Sequence, residues 1–294
     1  MHSVQTHELP KAINDKLKEY QAQVLKNSVF EEQKKEALRL WKSKNRKDNS
    51  VFVEVRKSLK KIAPLEGCCV YCESNTGAQI EHFRPKSCFP ECAFDWENFL
   101  PACGECNLMK RDKFRVYVNI TKSWHDISAV GTPSDLRFGM PALLNPRNED
   151  TMDLLGIELK DTFLYYSRYP QGTVEYERAY YTVVLLGLNT NETLREMRKN
   201  SFAAYISHLK CYLNAAGRHD QQDQIRKTIL NIPIASVWWE MKRQSQSKHH
   251  ELNSIFQQVP EAKLWSHRWI PGHDQEYLNE QASSGGKHPF PSDH

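Results

Sequence analysis

Apolar positions recur at helical spacing over residues 10–62. Leu17, Tyr20, Val24 and Leu25 share one helical face, and Ala37, Leu38 and Trp41 a second. Val55, Leu59 and Ile62 form a third, which Pro64 closes. The periodicity then stops. Residues 65–118 are irregular and rich in Cys, Pro and Gly, so something other than an apolar core is expected to hold them. Residues 131–146 read as loop. Residues 162–168 read as a strand, residues 169–172 as a turn, and residues 173–176 as the returning hairpin strand. A short buried helix is expected over residues 179–186.

Asn189 with Glu192 has the spacing of a capping box. It would open a long helix through Leu194, Met197, Phe202, Tyr205, Ile206, Leu209 and Leu213, ending near Gly217. Further helices would bury Trp238, Trp239, Ile255, Phe256 and Trp265. Residues 281–294 lack apolar periodicity and read as a disordered tail. No internal repeat is visible. The expected organisation is a helical lead-in (1–64), a cysteine-bearing core (65–120), a hairpin plus helical region suited to partner binding (121–280), and the tail. The fold class is α+β, mainly helical.

Composition narrows the class. At 294 residues, with 39% hydrophobic and 26% charged content and a mean hydropathy of −0.68, the chain reads as a soluble protein. No apolar run approaches the roughly 18 residues of a membrane span. The first residues show neither a basic nor an apolar leader segment, so a cytoplasmic location is expected. The eight cysteines then point to metal binding rather than disulfides. Net charge is a mild +4. Basic residues nonetheless cluster at 42–47, at Arg56, Lys57, Lys60 and Lys61, and at Lys110, Arg111, Lys113 and Arg115. Such clusters suit a polyanion, although any one of them could be a solvated helix face.

Candidate chemistry concentrates between the cysteine pairs. Cys69/Cys72 and Cys103/Cys106 are each Cys-x-x-Cys, the spacing at which two thiolates of one turn reach one ion; together they make a structural zinc site. Cys68 fits that spacing less well than Cys69. Cys88 and Cys92 read as loop or core cysteines, and Cys211 as core. The 30 residues between the pairs exceed the usual span of about 15–20, leaving room for an inserted function. That insert contains Ile80-Glu81-His82-Phe83-Arg84-Pro85-Lys86. A phosphodiester hydrolase needs a base for water, a divalent ion for the leaving oxygen, and cations for flanking phosphates. The heptapeptide offers candidates for each. In a strand Glu81 and His82 face opposite ways, so one does not simply orient the other.

Cys69-x-x-Cys72, Glu81-His82-x-x-Pro85, Trp96-x-Asn98-x-Leu100 and Cys103-x-x-Cys106-Asn107-x-x-Lys110 resemble the zinc-knuckle branch of the HNH endonucleases, which carry a ββα-metal site. The resemblance implies that His82 is the general base and that Asn98 holds the loop presenting it. Glu81 and Asn107 would be ligands of a catalytic Mg²⁺ or Mn²⁺, an oxygen set suited to hard ions. Arg84, Lys86, Lys110 and Arg111 would contact nucleic acid. Glu81 stands where the family more often has Asp or His. Trp96 and Phe99 would be core packing. A wider likeness, over about residues 50–200, adds Ser58-Leu59-x-x-Ile62, Phe94-x-Trp96-x-Asn98 and Leu144-Asn145-Pro146. It is similar to HNH proteins of bacterial anti-phage systems, including the nuclease component of Septu and of retron-linked Septu-like systems. The likeness implies DNA as substrate and an ABC/SMC-type ATPase as partner. An RNA- or tRNA-directed nuclease, and a non-catalytic zinc-stabilised binding or scaffold module, are the alternatives.

Overall fold

The computed structural model describes residues 1, 4, 7–63, 65–74, 77, 79–128, 137–246 and 250–266. The expected tail at 281–294, Pro64, and part of the loop at 131–146 lie outside them. The chain divides into two compact units. The first takes residues 1–204 and 233–241, the second residues 205–232 and 242–294.

The first unit begins with three helices, α1 (Lys11–Val24), α2 (Phe30–Lys44) and α3 (Ser50–Ile62). Leu17 and Val24 are the buried apolar positions of α1, and Ala37 and Leu40 those of α2. Leu25 and Leu38, read as core from spacing alone, are exposed. Asn49 caps α3 by accepting from Val51 N at 3.0 Å and Phe52 N at 3.3 Å. Val51, Phe52, Val55, Leu59 and Ile62 then form its buried face. Trp41 of α2 packs edge-on against Phe52, ring centroids 5.2 Å apart, and tilts against Phe99 at 5.5 Å.

Strand β1 (Gln79–His82) pairs antiparallel with β2 (Phe99–Ala102), in the register Glu81↔Leu100 and His82↔Phe99. The helix α4 (Gly104–Lys110) follows at once. Next comes a sheet of order β4-β3-β5, made of β3 (Phe114–Val118), β4 (Ser123–Ile127) and β5 (Met140–Pro141). A bidentate pair, Arg115 Nε to Asp126 Oδ1 at 2.7 Å and Nη2 to Oδ2 at 2.9 Å, bridges β3 and β4. This sheet was not anticipated.

The later hairpin differs from expectation. Strand β7 (Tyr165–Ser167) pairs with β6 (Leu155–Ile157), which follows the short helix α5 (Thr151–Leu154). Residues 174–176 instead begin helix α6 (Val174–Leu185), because Thr173 caps it by accepting from Tyr176 N at 3.2 Å. Asn189 is not the cap of the long helix α7 (Glu192–Asn214). Its amide exchanges two 2.8 Å hydrogen bonds with the Tyr165 backbone, clamping β7. Asn191 caps α7, accepting from Leu194 N at 3.2 Å. A buried network ties the first knuckle to this region. Glu73 accepts from the Met1 amino group at 2.6 Å and from Ser236 N at 3.0 Å.

The second unit holds the end of α7, then α8 (His219–Ile229) and α10 (His250–Gln258); α9 (Ala235–Gln244) runs from the first unit into it. Trp238, Ile255, Phe256 and Trp265 are buried as expected, while Trp239 is half-buried. Cys211, expected in the core, is exposed on α7. Among the described residues no helix is long and apolar enough to cross a membrane.

Candidate metal centre and catalytic cleft

The four paired cysteines converge. The Sγ atoms of Cys69, Cys72, Cys103 and Cys106 all lie within 4.8 Å of one another, and all four residues are buried. Cys72 Sγ and Cys103 Sγ are 3.7 Å apart. A tetrahedral zinc with Zn–S bonds of about 2.3 Å requires sulfur–sulfur edges of about 3.8 Å, so the donor set fits zinc. Cys103 also caps α4, its Sγ accepting from Cys106 N at 3.3 Å. Cys68 is not among the converging sulfurs, and burial pushes its thiol up to about 12. Burial likewise raises Cys92 to about 11. The pair spacing picked out the four sulfurs that converge. The turn is tight, since a Cβ on Gly77 would come within 2.3 Å of the Cys68 carbonyl oxygen.

Beside this cluster a cleft of about 410 Å³ opens over β1 and α4. Glu81, His82, Lys86, Asn107 and Arg111 line it together. His82 is 4% exposed. Its Nε2 lies 3.0 Å from the Ala93 carbonyl oxygen. A carbonyl only accepts, so Nε2 carries the proton and Nδ1 keeps its lone pair. Trp41 packs edge-on against the ring at 4.2 Å and Phe99 at 5.2 Å, fixing its plane. Burial, reinforced by the charges of Lys86 and Lys110, holds the imidazole well below the ordinary histidine range. The ring is thus a neutral, oriented imidazole at pH 7. As the strand geometry implied, a backbone carbonyl orients it, not Glu81.

Asn98 sits beneath the loop between β1 and β2. Its Oδ1 accepts from Arg84 N at 2.7 Å, and its Nδ2 donates to Arg84 O at 3.0 Å and Cys92 O at 2.9 Å. Since Ala93 follows Cys92, the same clasp positions the carbonyl that orients His82.

Glu81 is 3% exposed, and its Oε1 lies 2.6 Å from Lys110 Nζ. The contact is an ion pair outside good hydrogen-bond geometry, which leaves Oε1 without an aligned donor. Burial raises the Glu81 pKa, against the pull of Lys110. Asn107 is half-buried and donates from Nδ2 to Gln79 Oε1 at 2.6 Å, which leaves its amide oxygen for another partner. A carboxylate and an amide oxygen on one cleft fit a hard divalent ion.

Two assignments from the sequence need correction. Lys110 is fully buried and donates to the His82 carbonyl oxygen at 2.7 Å. It braces β1 and presents no ammonium to solvent. Arg84 does not line the cleft; its guanidinium stacks over Phe89 at 5.1 Å and Phe114 at 5.6 Å. Sequence reasoning missed Trp41, which comes from α2, Gln79, which holds Asn107, and Asp112, an exposed acid on the cleft rim.

No family model matches the chain, and no solved structure matches it. Among curated proteins, the Septu protein PtuB of Bacillus thuringiensis is 34% identical over 64 residues, covering 20% of this chain and 25% of that protein. The alignable part thus spans about a quarter of that relative's length.

Proposed function

We propose that this chain is a metal-dependent endonuclease of the HNH type that hydrolyses DNA phosphodiester bonds. In this reading β1, β2 and α4 are the ββα-metal finger, and the four cysteines hold a structural zinc. The observation that carries it is His82. Its Nε2–H is spent on Ala93 O while it lines a cleft with the oxygen donors Glu81 and Asn107. A histidine with only a structural role gains nothing from an unpartnered nitrogen beside an oxygen-ligand pair.

His82 takes the proton from an attacking water at Nδ1. Asn98 keeps the loop, and through it the Ala93 carbonyl, in place. Glu81 and Asn107 would hold Mg²⁺ or Mn²⁺, which when bound polarises the scissile phosphate and neutralises charge on the leaving oxygen. Lys86 and Arg111 neutralise flanking phosphates, and Lys110 keeps the buried Glu81 ionised and in register. The similarity to a Septu protein supports a place in anti-phage defence; the ABC/SMC-type ATPase partner is proposed from the family resemblance of the sequence motifs alone.

Metal dependence tests this directly. Supercoiled plasmid should be nicked with Mg²⁺ or Mn²⁺ added. Nicking should stop when those ions are withheld from protein that retains its zinc. Nicking that persists without any added divalent ion would overturn the assignment of Glu81 and Asn107.

A further inference from the structure

Four cations line the cleft: Lys86 and Arg111 beside the finger, and Lys47 and Arg56 from the segment that joins α2 to α3 and from α3 itself. None has a carboxylate at salt-bridge distance among the described residues. Their neighbours do. Arg46 pairs with Asp48 at 3.0 Å and Lys57 with Glu54 at 3.6 Å.

Arg56 is nevertheless held firmly. Its Nη1 donates to Phe52 O at 3.0 Å and Arg46 O at 3.3 Å, and its Nη2 to Asn45 Oδ1. All three acceptors are neutral. Burial pulls its pKa down and no acidic neighbour offsets the pull. A guanidinium that is oriented, partly desolvated and uncompensated costs stability in the free protein, and recovers it when an anion enters. Lys86 is half-buried with Nζ 5.5 Å from the Trp41 ring centroid, and burial pulls its pKa down although the nearby acids Asp112 and Glu81 offset part of the pull.

We propose that Arg56, oriented by Asn45, and Lys47 form a second phosphate-binding wall of the cleft. They grip the backbone of the nucleic acid beside the scissile bond. Helices α2 and α3 are then part of the working site, supplying Trp41 against the base and Arg56 against the substrate. The identity of the anion rests on the nuclease reading above; the wall itself rests on the unpaired cations.

The test is equilibrium binding of a labelled duplex oligonucleotide to the full chain carrying His82→Ala, followed by fluorescence anisotropy across a salt series. Each phosphate contact contributes about 0.9 to the slope of log K against log salt. Arg56→Gln should weaken binding about tenfold and lower the slope by about one. Lys47→Gln alters an exposed side chain, so folding is not at issue, and should lower the slope similarly. Asn45→Ala should weaken binding in the parent chain and add nothing once Arg56 is replaced, as a positioning residue must. Unchanged affinity and slope in both cation variants would overturn the wall. So would displacement of the oligonucleotide by an equal concentration of inorganic phosphate at constant ionic strength. If the parent chain without His82→Ala cuts plasmid and the cation variants still bind normally, the wall alone falls. If the variants lose affinity but that parent cuts nothing, the wall stands and the nuclease reading falls.

Discussion

Replacing Lys110 by methionine removes one ammonium from a place where solvent cannot substitute for it. The side chain is fully buried, 2.6 Å from Glu81 Oε1 and 2.7 Å from the His82 carbonyl. Methionine keeps the stem and deletes the charge. Deleting one partner of a buried ion pair costs about 3–5 kcal/mol, because the other charge stays behind unpaired. The orphaned His82 carbonyl falls largely within that figure. In a unit of this size each kcal/mol moves Tm by about 2–4 °C, so a fall of roughly 10 °C is expected. Calorimetry on zinc-loaded protein reads it. The double variant Glu81→Gln/Lys110→Met should recover a large part of the loss, giving a favourable coupling energy of at least about 1 kcal/mol. Oligonucleotide affinity should not change, since a buried ammonium touches no phosphate. A Tm loss below about 2 °C together with weakened DNA binding would refute the reasoning and return Lys110 to the surface role its sequence position suggests.

Other consequences are independent of that one. Cys106→Ser removes one of the four converging sulfurs and should lower bound zinc from one per chain, measured by atomic absorption, with a fall in Tm. Asn98→Ala deletes hydrogen bonds of 2.7, 3.0 and 2.9 Å, should cost about 2–3 kcal/mol in urea unfolding, and should lower turnover more than DNA affinity. Glu158 gives a pH signature. Burial opposes its ionisation, but backbone donors at Thr162, Asp161 and Lys160 prevail and hold its pKa at about 2, from 4.5. A depressed carboxyl stabilises the fold above its unfolded pKa, so that contribution is lost as pH falls from 4.5 towards 2. Acid titration of Tm should be flatter in Glu158→Gln; an unchanged curve would show that the turn does not depend on the carboxylate.

Which residues gather at the site was legible in the sequence because they are residue types at fixed spacing. Two Cys-x-x-Cys turns and the Glu81-His82 pair carry their meaning locally. The loop-holding role of Asn98 came from the family resemblance, and its partners at Arg84 and Cys92 do lie within one loop. What was not legible depends on distant contacts. Nothing near Trp41 or Arg56 announces that α2 and α3 meet the cleft some forty residues downstream. Lys110 looks like any helix lysine until α4 is laid on β1 and Glu81 comes within reach. The strand β3 was overlooked although Phe114, Val116 and Val118 alternate inward, because Arg115 was read with Lys110, Arg111 and Lys113 as a basic cluster suited to a polyanion. The hairpin was misassigned because Thr173 is an equally good start for a helix, and its cap decided the outcome.

The central claim is that a neutral His82, held by Ala93, is the base of a nuclease. The direct measurement is plasmid nicking by His82→Ala in the presence of Mg²⁺ or Mn²⁺, with zinc content and melting curve recorded on the same preparation. Loss of nicking by at least about a hundredfold is expected, the usual contribution of a positioned general base, with zinc still bound. Undiminished nicking by that variant would contradict it.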